Sequence, residues 1–132
     1  MQITRQADYA LRAVLHLAKM NGHSRAATSQ IAQEEHIPPS FLAKIISQLS
    51  VAGLINTSRG ARGGVSLART PEEISILDVI EAIDGPIALN QCTHSPGLCP
   101  FGENCPLRPL FSEAQTELIN RLKNSYFSDF VS

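Results

Sequence analysis

Along this chain, apolar residues recur at the three-and-four spacing of amphipathic helices in four places. Leu11, Val14, Leu15 and Ala18 predict a helix over 5–20, with Thr4 as its N-cap and Asn21-Gly22 as its stop. Leu42, Ile45, Ile46 and Leu49 predict another over 40–52, ended by Gly53 one position past the C-cap. Between them, Ile31 and Ala32 mark the inner side of a short helix over 28–36. Thr28 or Ser29 would cap it, and Ile37-Pro38-Pro39 breaks it. Ser75-Ile76-Leu77-Asp78 has the form of a capping box with Asp in place of Glu or Gln. It opens a fourth helix that faces Ile76, Val79, Ile80 and Ile83 inward until Gly85-Pro86. Leu107, Leu110, Phe111, Ala114, Leu118 and Leu122 lay a stripe along a long helix near the C-terminus. Two β-prone runs, Leu54–Thr57 and Val65–Ala68, flank Ser58-Arg59-Gly60-Ala61-Arg62-Gly63-Gly64, the pattern of a hairpin with a Gly/Arg tip.

Helix, short turn, helix and then such a hairpin is the order of a winged helix-turn-helix. The fold expected is mainly α with a small β-wing and a long C-terminal dimerisation helix. The 132 residues suit one compact domain. Within it, 1–70 form the DNA-binding region, and 71–132 hold a loop and the dimerisation helix. The long apolar stripe needs a cover. Packing on the first helix would supply it within one chain; the reading adopted is a homodimer interface, because most soluble oligomers are symmetric dimers.

Charge changes the picture more than composition does. The net charge of −1 conceals a division. Residues 1–70 carry eight Lys/Arg against three Asp/Glu, a local charge of +5, and residues 71–132 carry three against nine, a local charge of −6. A basic first half suits a polyanion partner, double-stranded DNA in this fold. The outer face of the third helix carries Ser40, Ala43, Lys44, Ser47 and Gln48. Ser40, Phe41, Lys44 and Gln48 are the candidates for reading base edges in the major groove. Arg59 and Arg62 would grip a second groove from the wing, where a narrow minor groove focuses negative potential. Gly60 and Gly63 would let the main chain approach phosphates closely. Without the preceding helices, the same hairpin would be only a solvated turn with two charges. No apolar run nears the roughly 18 residues of a membrane span, and no basic-then-apolar leader follows Met1, so a cytoplasmic protein is expected. No phosphate-binding glycine loop or nucleophile elbow occurs, so hydrolysis and phosphoryl transfer have no support.

The remaining chemistry lies in three cysteines, Cys92, Cys99 and Cys105, the only ones in the chain. Six residues separate the first pair and five the second, among Pro96, Gly97, Pro100, Gly102 and Pro106. An odd, clustered set of thiols in a loop is a poor disulfide framework and a good cradle for a soft metal. The spacing exceeds that of a zinc knuckle and leaves room for an iron–sulfur cluster, 4Fe-4S or 2Fe-2S. A fourth ligand is missing from the loop's thiols. His94, Glu103 and the distant Asp8 are candidates, although an acid in a helix's first turn also suits the macrodipole. A thiol redox enzyme would need a C-x-x-C pair that the chain lacks.

Taken together, these stretches resemble the small winged-helix regulators typified by IscR and NsrR. The resemblance rests on Met1-Gln2-Ile3-Thr4 with Asp8-Tyr9-Ala10-Leu11-Arg12-Ala13, on Lys44-Ile45-Ile46-Ser47-Gln48-Leu49, on Arg59-Gly60-Ala61-Arg62-Gly63-Gly64-Val65-Ser66-Leu67, and on the cysteine loop. It covers nearly the whole chain. It implies a winged-helix dimer with a crossing C-terminal helix, and an iron–sulfur cluster on the three cysteines. IscR-like members complete the cluster with a histidine three residues after the last cysteine, where this chain has Arg108. They also carry an acidic residue where this chain has Ala43. NsrR-like, nitric-oxide-sensing members lack that histidine. In some of them, an Asp near the start of the first helix reaches over from the partner subunit, and Asp8 matches it. The function expected is a transcription regulator, most simply a repressor, whose DNA affinity follows a cluster sensing nitric oxide, redox state or iron and cluster supply. The alternative is a zinc- or thiol-based redox-responsive regulator, or an interaction module without a cluster.

Overall fold

The computed structural model describes residues 2–20, 24–58, 64–89 and 105–131. Among them are five α-helices and one two-stranded sheet: α1 (Arg5–Lys19), α2 (Thr28–Glu34), α3 (Pro39–Val51), β1 (Ile55–Ser58), β2 (Gly64–Leu67), α4 (Ile76–Asp84) and α5 (Arg108–Lys123). Short 3-10 turns occur at Pro71–Glu73 and Phe127–Phe130.

Local chemistry explains the helix ends. The Thr4 hydroxyl caps α1 by accepting from the Ala7 N–H at 3.1 Å. Helix α3 closes in a Schellman motif. The Gly53 N–H donates to the Ser50 carbonyl, and the Leu54 N–H donates to the Leu49 carbonyl, both at 3.0 Å. Gly53 takes φ +77°, a value that favours glycine. At α4 the Ser75 hydroxyl accepts from the Asp78 N–H while the Asp78 carboxylate accepts from the Ser75 N–H, both at 3.0 Å, so the capping box works with the shorter acid. Helix α2 differs from expectation. Its N-cap is Ala27, with no side-chain bond, and Thr28 and Ser29 already lie in the first turn.

Faces also differ from the sequence reading. The buried side of α1 is Ala7, Ala10, Ala13, Val14, Leu17 and Ala18, whereas Leu11 and Leu15 lie at its flank. The alanines have little apolar area of their own. They are buried because small side chains let α3 and α4 approach closely. In α3 all four periodic residues, Leu42, Ile45, Ile46 and Leu49, are buried. In α4, Leu77, Val79 and Ile80 are buried, while Ile76 and Ile83 are only partly covered.

The hairpin is antiparallel, pairing Ile55 with Leu67 and Ser58 with Gly64. A third chain segment joins it: Ala26 and Val65 exchange two backbone hydrogen bonds at 2.9 Å. The turn between α1 and α2 is thereby sewn to the wing. The main core runs from Ala10 to Phe127 and combines all of α1–α4 with both strands. At its far end the C-terminal segment returns to the core. The Phe127 N–H donates to the Ile74 carbonyl at 3.1 Å, the Ile76 N–H donates to the Ser125 carbonyl at 2.8 Å, and the Phe127 ring is fully buried.

Helix α5 has no buried residue in the single chain. Its second half (Leu118, Ile119, Leu122) packs on Leu77, Ile80 and Ile87 at α4, with only Leu11 reaching this cluster from α1. Packing on the first helix, the alternative to a dimer interface, is thus largely replaced by packing on α4, and among the described residues it covers only part of the stripe. Leu107, the N-cap, and Leu110 in the first turn are 58% and 60% exposed. No helix among the described residues is long and apolar enough to cross a membrane.

Candidate nucleic-acid interface and cysteine segment

The open face of α3 follows from its buried one. With Leu42, Ile45, Ile46 and Leu49 turned inward, Ser40, Ala43, Lys44, Ser47 and Val51 project outward, all exposed. Small and polar side chains near the centre of this face leave room for base edges to approach. Two of the four proposed base readers lie at its flank. Phe41, 44% exposed, tilts against Tyr9 of α1, with ring centroids 6.3 Å apart. Gln48 is half-buried, and its Oε1 is enclosed with no hydrogen-bond partner. That orphaned acceptor leaves the side chain a reason to turn outward when a donor arrives.

Alongside α3, the first turn of α2 and the root of the hairpin complete a surface. Thr28 lines two cavities, one against Ala43 and Pro39 and one against Thr57, Ser58 and Gly64. The first is an open groove of about 550 Å³ with an apolar floor of Ala32, Leu42 and Ile46. The expected wing-tip residues Arg59, Gly60, Arg62 and Gly63 lie outside the described residues, just beyond the paired ends Ser58 and Gly64. Gly64 itself is required at the root: a Cβ there would stand 2.6 Å from the Ala26 carbonyl oxygen. Sequence reasoning treated it as a tip glycine. The actual demand comes from a chain segment about forty residues away in sequence, which only folding brings near.

Electrostatics sharpen the surface. All three acids of the first 70 residues are engaged. Asp8 pairs with Arg12 at 3.0 Å, and Glu35 and Glu34 approach Nδ1 and Nε2 of His16 at 2.8 and 3.5 Å. The His16 contacts tie the end of α2 to α1 and hold its acids there. Lys44 and Arg25, by contrast, have no acidic partner within 4 Å among the described residues. Arg25 is exposed beside the Ala26–Val65 pairing at the wing root, and the sequence reading did not single it out. Two unpaired cations are free to answer phosphates.

Of the cysteines, Cys92 and Cys99 lie outside the described residues, as do His94 and Glu103. Cys105 is a free thiol, half-buried, placed three residues before α5 begins. Its carbonyl accepts from the Arg108 N–H at 3.2 Å. A free thiol within reach of solvent fits a thiolate ligand. Arg108 has no lone pair to coordinate with and belongs to the helix start. The Asp8 carboxylate is half-exposed on the first turn of α1. No group of three or more His, Cys, Asp or Glu among the described residues is placed to hold a metal ion.

Comparison with known proteins agrees with this architecture. The model of the Rrf2 family, described as an iron-dependent transcriptional regulator, matches residues 3–132. The HTH-type transcriptional regulator NsrR of Shouchella clausii is 32% identical over 132 residues, which is 99% of this chain and 89% of that protein. Among solved structures, CymR, the global cysteine regulator of B. subtilis, superposes with a TM-score of 0.82 at 26% identity, covering 98% of this chain and 95% of its own. An IscR from T. potens superposes with a TM-score of 0.78, covering 98% and 85%; at 22% identity it bears on the fold alone.

Proposed function

This chain belongs to the Rrf2 family of iron-dependent transcriptional regulators, and from that premise we propose that it is a homodimeric repressor whose DNA affinity is set by an iron–sulfur cluster. It regulates transcription by binding DNA and is not an enzyme. The reading beyond that rests on one observation above the others: three cysteines confined to fourteen residues, with Cys105 free and partly accessible at the head of α5. Cys92, Cys99 and Cys105 would hold the cluster, and Asp8 of the partner subunit would complete the set. A bound cluster supplies an iron centre reactive toward nitric oxide and oxidants. A carboxylate is a harder ligand than thiolate and would leave its corner the most open to attack. Nitric oxide is the leading signal, with redox state and iron or cluster supply in the same class.

In this reading Ser40, Phe41, Lys44 and Gln48 face the major groove, and Arg59, Gly60, Arg62 and Gly63 bring the wing to the backbone or a minor groove. The exposed Leu107 and Leu110 and the partly covered Phe111 form the dimer seam. A cluster bound across the seam would tie one subunit's cysteines to the other's α1. Its loss would alter the spacing of the two α3 helices, a two-state element biased by a ligand.

The test is anaerobic purification followed by DNA-affinity selection with cluster-loaded and cluster-free protein. Visible absorption bands with iron and sulfide in the protein are expected, together with a pseudo-palindromic site bound more tightly in one state. A colourless protein holding zinc, or one whose DNA affinity changes only on thiol oxidation, supports the zinc- or thiol-based reading instead. The specific observations favouring that second reading are the free Cys105 and the likeness to the cysteine regulator CymR.

A further inference from the structure

Between the end of α4 and Leu89 the chain is pinned at two points, and the pins lead to different helices. Asp84, the last residue of α4, accepts two hydrogen bonds from Thr4, one from its hydroxyl at 2.5 Å and one from its N–H at 3.3 Å. Thr4 is also the N-cap of α1. The same hydroxyl oxygen accepts from the Ala7 N–H at 3.1 Å, and the Thr4 carbonyl accepts from the Asp8 N–H at 3.0 Å. A hydroxyl has one proton and two lone pairs, so it donates to Asp84 and caps α1 without conflict. Five residues after Asp84, the Leu89 N–H donates to Oε1 of Gln115 on α5 at 3.0 Å.

The segment between the pins is stiff. Gly85, at φ +77°, turns the chain out of α4, and Pro86 has a fixed φ. Ile87 is buried against Leu77 and Ile80. Cys92 follows Leu89 by three positions. The stretch Asp84–Leu89 therefore joins the first turn of α1 to the middle of α5, and ends three positions before Cys92 in the sequence.

We infer that Asp84 and Gln115 are positioning residues that hold the first turn of α1 in fixed register with the entry to the cysteine segment. A change in how Leu89 is held is transmitted through Pro86–Ile87 and Asp84 to Thr4 and Asp8, and through α1 to α3, which packs on it. The signal assigned to this path rests on the proposed iron–sulfur reading; the mechanical coupling does not.

Amide hydrogen exchange on the metal-free full chain tests the coupling. Gln115→Met removes the acceptor of Leu89 at similar volume. It should speed exchange at Leu89 and also, by about fivefold, at Ala7 and Asp8, a coupling of the size found between residues sharing one contact network. Asp84→Ala should show the reverse, with Leu89 responding. Faster exchange only at the amide next to each substitution overturns the inference. A second measurement uses Thr4→Asp, which keeps a good N-cap but sets a like charge against Asp84. Its thermal midpoint should stay near wild type while the ratio of loaded to cluster-free DNA affinity moves several-fold towards one. An unchanged ratio overturns the transmission. A wild-type ratio of one defeats the proposed cluster function instead, and the exchange result still decides the coupling.

Discussion

At the scale of single residues, two positions separate structural demand from recognition. Gly64 is fixed by the Ala26 carbonyl, which a Cβ would meet at 2.6 Å, and backbone on both sides leaves little to yield. Gly64→Ala should destabilise the chain by about 2–3 kcal/mol, through strain and overpacking, as measured by chemical denaturation. A cost below half of that would show that the wing root slides away from Ala26. Lys44 is exposed and has no acidic partner among the described residues. Lys44→Ala should leave the denaturation midpoint in place and weaken DNA binding by roughly 1–3 kcal/mol if it reads a base. A uniform loss across sequences with a shallower salt dependence would assign it to a phosphate instead. Equal affinity in variant and wild type would remove Lys44 from the interface.

Among the elements, α5 carries two surfaces along one stripe. Leu118, Ile119 and Leu122 are held by α4, and Leu107 and Leu110 are left exposed by the described residues of the same chain. In the proposed homodimer this open apolar end is the seam, since exposed apolar patches mark interaction sites. Leu110→Glu should therefore barely change the stability of the isolated subunit, within about 0.5 kcal/mol. The same substitution should weaken self-association at least about tenfold, or about 1.4 kcal/mol. Sedimentation over a concentration series measures this, and an unaltered dimer would place the seam elsewhere. The periodicity of this stripe was plain in the sequence, but its division was not. Which half meets α4 depends on where Gly85-Pro86 turns the chain, and spacing along one helix carries no such information. For the same reason the sequence put Leu11 and Leu15 inside α1 where the structure puts Ala7, Ala10 and Ala13. Hydropathy ranks leucine above alanine, whereas the closeness of two neighbouring helices decides which of them fits.

For the molecule as a whole, the core formed by the described residues runs from Ala10 to Phe127, and Cys105, the one cysteine among them, is not part of it. Stripping metal with a chelator should therefore leave the far-ultraviolet circular dichroism and a cooperative thermal transition intact, while DNA affinity changes. Loss of the cooperative transition would mean that metal binding supplies part of the fold itself, as in small zinc domains. The sequence by itself determined the succession of elements, the caps at Thr4, Gly53 and Ser75, the buried face of α3 and the clustering of thiols. Each of these depends on groups within about one or two helical turns of one another, so the chain's local chemistry is sufficient. The tertiary structure alone decided the pairing of Ala26 with Val65, the return of Phe127 to Ile74, the sequestering of Glu34 and Glu35 by His16, and the Thr4–Asp84 and Leu89–Gln115 pins. Those contacts join residues roughly twenty to eighty positions apart. Their partners are chosen by how whole helices pack, which no local pattern encodes.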